Sequence, residues 1–302
     1  MRLLEWTMRK TIVACTAICT TAWGLSFSVM KILLSVIDPM QILALRWLLA
    51  AIIFSVMVVM GKIRIDLRSR LLKYALLAGL MEPCIYSILE IYGVDLMSAS
   101  LSALFIATIP SMTLLIGAGL FHRRINKLNA VGIILAFIGV TIATVFVPGF
   151  SISGTALGVI IMIGAVVSAV FFSFSNVKAS GEIDAKAMTF VMAVMGAVTF
   201  NLISLFMGYG AGTYTAVFSD YRVALGILFL GVGCSVFGYF AFNKLLALID
   251  TSVANSFAGN LTTVIGVIGG IIIAGDQWGI ATIIGMLLTV TGVWLSSRTI
   301  ES

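Results

Sequence analysis

Three residues in one apolar stretch have the types and the spacing to bind a charged ligand. Glu82, Tyr86 and Glu90 follow one another at intervals of four, so a helix places them along one face with a drift of about 40° per step. A carboxyl group buried among apolar neighbours is desolvated, and it can exchange protons. The pattern therefore predicts a binding site with a proton-exchange role for Glu82. The alternative for Glu82 is a neutral carboxyl that hydrogen-bonds the neighbouring backbone.

Two prolines inside apolar stretches predict breaks in the helices that carry such a site. Pro83 directly follows Glu82, which disfavours helical geometry at Glu82 and leaves the carbonyl of Gly79 without its amide partner. Pro110 releases the carbonyl of Ile106 in the same way. Both prolines are predicted hinges, and for Pro110 a static bend is the alternative.

One arginine lies about six residues inside another apolar stretch, which corresponds to roughly 9 Å along a helix. The guanidinium of Arg46 stays charged and can hold a carboxylate with two hydrogen bonds. Its partner could be Glu90 or the carboxylate of a substrate, and the sequence leaves both open. Aromatic rings with polar tips can stack on a ligand and hydrogen-bond it, although ordinary helix packing explains them equally well. Three further residues complete the predicted cavity lining: Trp23, Tyr239 and Asn243.

Long apolar runs must position all these residues. The 302 residues are 61% hydrophobic and 10% charged, with a mean hydropathy of +1.18, whereas soluble domains carry about 25% charged residues. Runs of this length cross a bilayer as helices. The sequence therefore predicts an all-α integral membrane protein with ten transmembrane helices. The predicted spans are 11–33, 40–60, 72–93, 96–120, 127–147, 155–177, 186–207, 222–242, 250–273 and 279–297.

The basic residues are unevenly distributed between the loops. If both termini are cytoplasmic, 15 of the 18 lysines and arginines fall in cytoplasmic segments or at cytoplasmic span ends, as the positive-inside rule requires. We therefore predict a multi-pass protein of the cytoplasmic membrane with both termini inside. The net charge of +6 follows from this bias, so no nucleic-acid partner is predicted.

The chain contains traces of an internal repeat. "SFSVMK" at 26–31 matches "SFSNVK" at 173–178, and "NAVGIILAFIGV" at 129–140 matches "TIIGMLLTVTGV" at 282–293. The second offset, 153 residues, also pairs Tyr86 with Tyr239. Chance alignment of apolar segments is the alternative. Two repeats, 1–150 and 151–302, would each hold five helices, and an odd number inverts the second repeat relative to the first.

Four segments resemble a known family. "AWGLSFSVMK" (22–31), "LALRW" (43–47), "SASLSALFIATIPSMTLLIGAGLF" (98–121) and "GIIIAGDQWGIATIIGMLLTVTGVWL" (270–295) are similar to motifs of the drug/metabolite transporter superfamily, EamA-like branch. The resemblance extends over nearly the whole chain. It implies ten helices in two inverted five-helix repeats and a role in carrying small organic solutes.

The sequence departs from this family at two membrane-surface positions. An acidic residue often follows the fourth span in the family, but His122 or Arg123 stands there, and Asp276 replaces a glutamate after the ninth span. We expect these changes to affect packing more than substrate choice.

The favoured function is a secondary transporter, and specifically an exporter, of small organic metabolites by alternating access. Two carboxylates and an arginine suit amino-acid-like zwitterions, and proton coupling is open. The alternatives are a membrane-embedded lipid-modifying enzyme and a channel or facilitator. The single histidine and the absence of a phosphate-binding loop argue against a metal site, a cofactor or ATP-driven transport, so no enzyme is predicted.

The expected partners are a small-molecule substrate, the lipid bilayer and protons. The chain is expected to be a monomer or a homodimer, the latter through glycine-lined helices 5 and 10.

Overall fold

A computed structural model describes residues 2–64, 69–122, 125–146 and 152–297, and these residues form ten long helical spans. Nine of the spans are long and apolar enough to cross a membrane, and the tenth is a shorter apolar helix of 17 residues. The predicted all-α membrane fold with ten helices is therefore confirmed. In chain order, spans 1 to 10 are Arg2–Leu34, Pro39–Val59, Leu72–Leu96, Ala99–Phe121, Lys127–Val145, Ile152–Ala179, Ala185–Phe206, Tyr221–Leu248, Thr251–Ile272 and Ile280–Ser296.

Polar residues between the spans set the limits of several helices. Asp38 accepts a hydrogen bond from the amide of Met40 and begins span 2, and Ser98 accepts from the amide of Leu101 and begins span 4. Such caps each stabilise a helix by about 1 kcal/mol. Span 3 was predicted to end at 93, but it continues to Leu96, because the charged residue near its end is compatible with helix.

Spans 3 and 8 each contain a wide, π-helical segment. These segments are Leu80–Ile85 and Phe229–Gly238, and the 153-residue offset superposes the first on the end of the second. The break predicted at Pro83 is present, since Glu82 has non-helical φ and ψ angles of −138° and 114°. Departures of this kind occur frequently at functional sites.

Span 4 is also interrupted. Its two helical parts are Ala99–Ile106 and Ile109–Phe121, and Pro110 lies in the first turn of the second part. Proline is tolerated in that position because a first-turn amide has no helical partner. The break agrees with the expected effect of Pro110, while hinge motion at Pro83 and Pro110 remains a prediction.

Spans 5 and 10 pack against each other through glycines. A Cβ atom added at Gly132 would overlap the backbone of Ser296, and one added at Gly292 would overlap the backbone of Ala136. Small residues let membrane helices approach this closely. Because these glycine faces are covered within one chain, they are not available for the homodimer that the sequence suggested through them. The choice between monomer and homodimer remains a prediction.

The contact between spans 5 and 10 predicts a large effect of a very small substitution. We expect Gly292→Ala to destabilise the protein by about 1–3 kcal/mol, the usual range for overpacking. Gly119→Ala is the matched control, because a Cβ there meets no atom within 4 Å. Thermal unfolding in detergent measures both variants. A melting temperature of Gly292→Ala equal to that of the wild type would contradict the packing described.

Several spans of the first proposed repeat pack against the equivalent span of the second. Span 2 packs on span 7, span 4 on span 9, and span 5 on span 10, so each of these pairs joins equivalent positions of the two proposed repeats. The contact of span 1 with span 9 likewise has a counterpart in the contact of span 6 with span 4. A pseudo-two-fold axis between the halves would produce this pattern. The division at residue 150 remains a prediction.

Candidate functional site

A cavity of about 60 Å³ lies at the centre of the helical bundle. Its lining comes from spans 1, 2, 3, 4, 6, 8 and 9, and among the described residues spans 5, 7 and 10 contribute none. The volume holds a few water molecules, so a metabolite requires the cavity to widen. Six of the seven residues predicted to bind substrate lie in this lining: Trp23, Arg46, Glu82, Tyr86, Glu90 and Tyr239.

Each buried carboxyl group in the cavity is held by a tyrosine. The hydroxyl of Tyr86 donates to Glu90 Oε1 at 2.8 Å, and the hydroxyl of Tyr239 donates to Glu82 Oε1 at 2.5 Å. Ser87 Oγ donates to the same oxygen of Glu82 at 3.3 Å. Among the described residues, the hydrogen-bond partners of Glu82 are thus side chains, and the neighbouring backbone that the sequence left open is not one of them. The two tyrosines are the pair related by the 153-residue offset.

Arg46 lies beside these carboxyl groups and is incompletely paired. Its side chain is 2% exposed, and its Nε donates to Ser235 Oγ at 2.7 Å. Nη1 lies 4.0 Å from Glu90 Oε2, which is too long for a hydrogen bond, and it has no hydrogen-bond partner among the described residues. A buried donor without a partner is unfavourable by about 1–3 kcal/mol, and by more for a charged group. The guanidinium is therefore suited to receive an oxyanion.

The charges around the cavity do not balance. Glu82 and Glu90 bring two acidic groups and Arg46 brings one basic group, all of them buried. Unpaired charges are strongly unfavourable inside a membrane protein. With both carboxyls ionised, the site carries one excess negative charge, which a proton or the cationic group of a ligand would neutralise.

Aromatic rings form one wall of the cavity. The Trp23 ring centroid lies 5.0 Å from that of Tyr239 and 5.0 Å from that of Phe242, and Phe172 lies 6.3 Å from Phe242. Such pairs are favourable beyond the area they bury. Sequence reasoning missed Phe172 and Phe242, although Phe242 follows Tyr239 by three positions and so shares its helix face.

Ser235 was also missed, and the repeat contained a signal for it. The 153-residue offset that pairs the two tyrosines also pairs Glu82 with Ser235. The structure places Ser235 on the π-helical segment of span 8, where it positions Arg46.

Asn243 lies outside the cavity lining, contrary to its predicted position. Its Nδ2 donates to Thr189 Oγ1 at 2.8 Å, and its Oδ1 accepts from Asn176 Nδ2 at 2.6 Å. These bonds join spans 6, 7 and 8. The structure thus places Asn243 in an interhelical amide pair, the common role of such residues in membranes, and separates it from the cavity that its repeat mate Glu90 lines.

The position of Asn243 leads to a prediction that separates stability from transport. We expect Asn243→Ala to lower the stability by about 0.6–1.7 kcal/mol, the range for interhelical hydrogen bonds in membranes, and to leave the KM of a transported solute within twofold. Thermal unfolding and the concentration dependence of uptake measure the two effects. Glu90→Gln, at the equivalent position of the first repeat, serves as the contrast and should change uptake. A normal melting temperature of Asn243→Ala with a tenfold higher KM would contradict the assignment.

Comparison with known proteins places this geometry in a family. The sequence profile described as the EamA-like transporter family matches residues 10–145 and again residues 156–298. A protein of Archaeoglobus fulgidus named "Uncharacterized transporter" is 26% identical over 96% of this chain and 99% of its own length. "Uncharacterized transporter YcxC" of Bacillus subtilis is 26% identical over 92% of this chain and 90% of its own.

A solved structure has the same fold. The match, a chain named only as "Crystal structure of protein", has a TM-score of 0.64 and 17% identity, and it covers 94% of this chain and 98% of the other.

The family match extends over both halves of the sequence, and the relatives are named as transporters. The resemblance seen in the motifs is thus confirmed, and the protein is a multi-pass membrane transporter. The chain belongs to the EamA-like transporter family.

Proposed function

We propose that this protein exports small organic metabolites by alternating access through the central cavity, with amino-acid-like solutes favoured. The observation that carries the proposal is the incompletely paired guanidinium of Arg46, buried in the cavity beside Glu82 and Glu90. A zwitterion offers a carboxylate to Arg46 and an ammonium group to the acidic side. Binding such a solute satisfies the free donor of Arg46 and gives the two carboxyl groups a cationic partner at the same time.

Proton coupling would use the same carboxyl groups. In the absence of substrate, a proton on Glu82 neutralises the excess charge, and the hydrogen bonds from Tyr239 and Ser87 hold that carboxyl group in place. The ammonium group of a solute competes with this proton, because both pair with the same carboxylate. Glu82 would therefore release its proton on substrate binding and take one up on substrate release, which links the two fluxes.

The cavity is nearer to the membrane face that we assign to the cytoplasm. Asn255 belongs to the lining and lies four residues from Thr251, where span 9 begins, or about 6 Å along the helix. On the other face Glu90 lies six residues, about 9 Å, from the end of span 3 at Leu96. A site that approaches the cytoplasm suits export. The uneven distribution of basic residues between the loops supports an orientation with both termini in the cytoplasm. We propose that the protein lies in the cytoplasmic membrane.

Uptake of a panel of labelled metabolites into proteoliposomes, with and without an imposed pH gradient, tests this proposal. We expect at least one amino-acid-like solute to cross at a saturable rate, and more of it to accumulate when the gradient is present. If no solute of the panel crosses and Glu90→Gln leaves a lipid-modifying activity intact, the protein is an enzyme instead. A rate that rises in proportion to concentration without saturation would indicate a channel.

A further inference from the structure

The amine of Lys31 is bonded to the end of another span. Its Nζ donates to the carbonyl oxygens of Val94 at 2.9 Å, Asp95 at 3.0 Å and Met97 at 2.8 Å, so all three ammonium donors have acceptors. Carbonyls at a helix end have no partner within the helix and lie at the negative end of its dipole. Lys31 therefore ties the end of span 1 to the end of span 3.

A second contact holds the beginning of span 4 on the same face. Asp276 Oδ2 accepts from the amide and from the hydroxyl of Ser100, both at 2.7 Å. A Cβ atom added at Gly270 would overlap both residues, which shows how closely span 9 approaches here. Asp276 thus contributes to the packing between the loop after span 9 and the beginning of span 4, and its effect on substrate choice stays a prediction.

The opposite face lacks the matching lysine contact. Lys178 is the repeat mate of Lys31 at an offset of 147 residues, and an equivalent contact would place its amine on the last carbonyls of span 8, near Leu248 and Ile249. Lys178 is instead exposed, and its amine lies 5.3 Å from the ring of Tyr74. Among the described residues it donates no hydrogen bond. The two faces thus differ at equivalent positions, and the cavity reaches closer to the face of Lys178.

We propose that Lys31 is a latch that closes the transporter on its own face, and that Lys178 forms the equivalent contact with the end of span 8 when the opposite face closes. This inference rests on the alternating access proposed above. For spans 1 and 3 to separate, three hydrogen bonds to an ammonium group must break. Forming the matching contact on the other face compensates for that loss, so the two conformations stay close in free energy and either can be populated.

Cysteine labelling from each side of the membrane tests the latch. The four native cysteines, all buried, are replaced by alanine, and Ala258→Cys places one thiol in the cavity lining. A membrane-impermeant maleimide is then added to either side of reconstituted vesicles. Separate Ser35→Cys and Ser180→Cys variants identify the faces of Lys31 and Lys178, so the result does not depend on the assigned orientation.

We expect Lys31→Met to increase labelling from the face of Lys31 at least about fivefold and to decrease labelling from the other face. Lys31→Gln, which keeps part of the donor set, is the second variant if Lys31→Met does not fold. Lys186→Met is the matched control, because this lysine is exposed near the face of Lys178, and it should change neither rate. Unchanged labelling of a folded Lys31 variant from its own face would overturn the latch.

Lys178→Met tests the exchange between the two lysines. It removes the contact that closes the opposite face, so we expect labelling from the face of Lys31 to fall. Labelling equal to the wild type would overturn the role of Lys178. Because labelling needs no substrate, its outcome is independent of the uptake panel: a change in labelling without any solute flux would support the latch and contradict the proposed function.

Discussion

Arg46→Gln is expected to reduce solute transport about 100-fold or more. The substitution removes the only buried cation among the described lining residues and leaves Glu82 and Glu90 without a basic neighbour. Truncating one partner of a buried, hydrogen-bonded charge pair between a protein and its ligand costs about 2–5 kcal/mol of binding free energy, and each 1.4 kcal/mol corresponds to a factor of ten in affinity. The substrate carboxylate also loses the one charged donor that the cavity offers it.

Initial rates of uptake into proteoliposomes measure this effect, and a double variant separates transport from folding. Arg46→Gln combined with Glu90→Gln removes both members of the pair that are 4.0 Å apart. We expect the double variant to melt closer to the wild-type temperature than the single variant does, while its transport remains low. Transport by Arg46→Gln at the wild-type rate would contradict the assignment of the oxyanion site.

Glu82→Gln is expected to abolish accumulation driven by a pH gradient while solute still equilibrates across the membrane. The amide has the shape of the carboxyl and can still accept the hydrogen bond from Tyr239, but it cannot bind and release a proton. The charge that the proton neutralises is absent at every stage of the cycle. The energetic link between proton and solute is therefore lost.

The measurement is the ratio of internal to external solute at steady state, with and without the gradient. Glu182→Gln is the matched control, because this exposed glutamate lies in a loop away from the cavity, where it accepts a hydrogen bond from the hydroxyl of Ser69. It should preserve the accumulation seen in the wild type. Accumulation above equilibrium by Glu82→Gln in a pH gradient would show that the coupling group lies elsewhere.

The spans and the charged part of the cavity were predictable because polar residues are rare in these apolar helices. Arg46, Glu82 and Glu90 stand out for that reason, and an ionisable group inside a membrane span marks a functional site by default. The hydrophobic length of each span does not depend on tertiary contacts, so the helices could be counted from the sequence. The offset between the repeats added Tyr239 to the group.

The remaining features depend on which helix faces meet, which no local pattern encodes. Ser235 resembles any small residue of a membrane helix until the structure brings it to Arg46. Asn243 has the same residue type whether it lines a cavity or joins helices, and its partners come from spans 6 and 7. Lys31 gives no local sign of its contacts, because its acceptors lie more than sixty residues away in the sequence.

Counterflow in proteoliposomes tests the central claim most directly, because only a carrier whose single site faces the two sides in turn can exchange solutes. Vesicles are loaded with a high concentration of an unlabelled solute identified by the uptake panel and diluted into a trace of the labelled compound. The proposed mechanism predicts a transient internal excess of label above the equilibrium value for the wild type and none for Arg46→Gln. If wild-type label rises only to equilibrium, without the transient excess, alternating access through this cavity is contradicted.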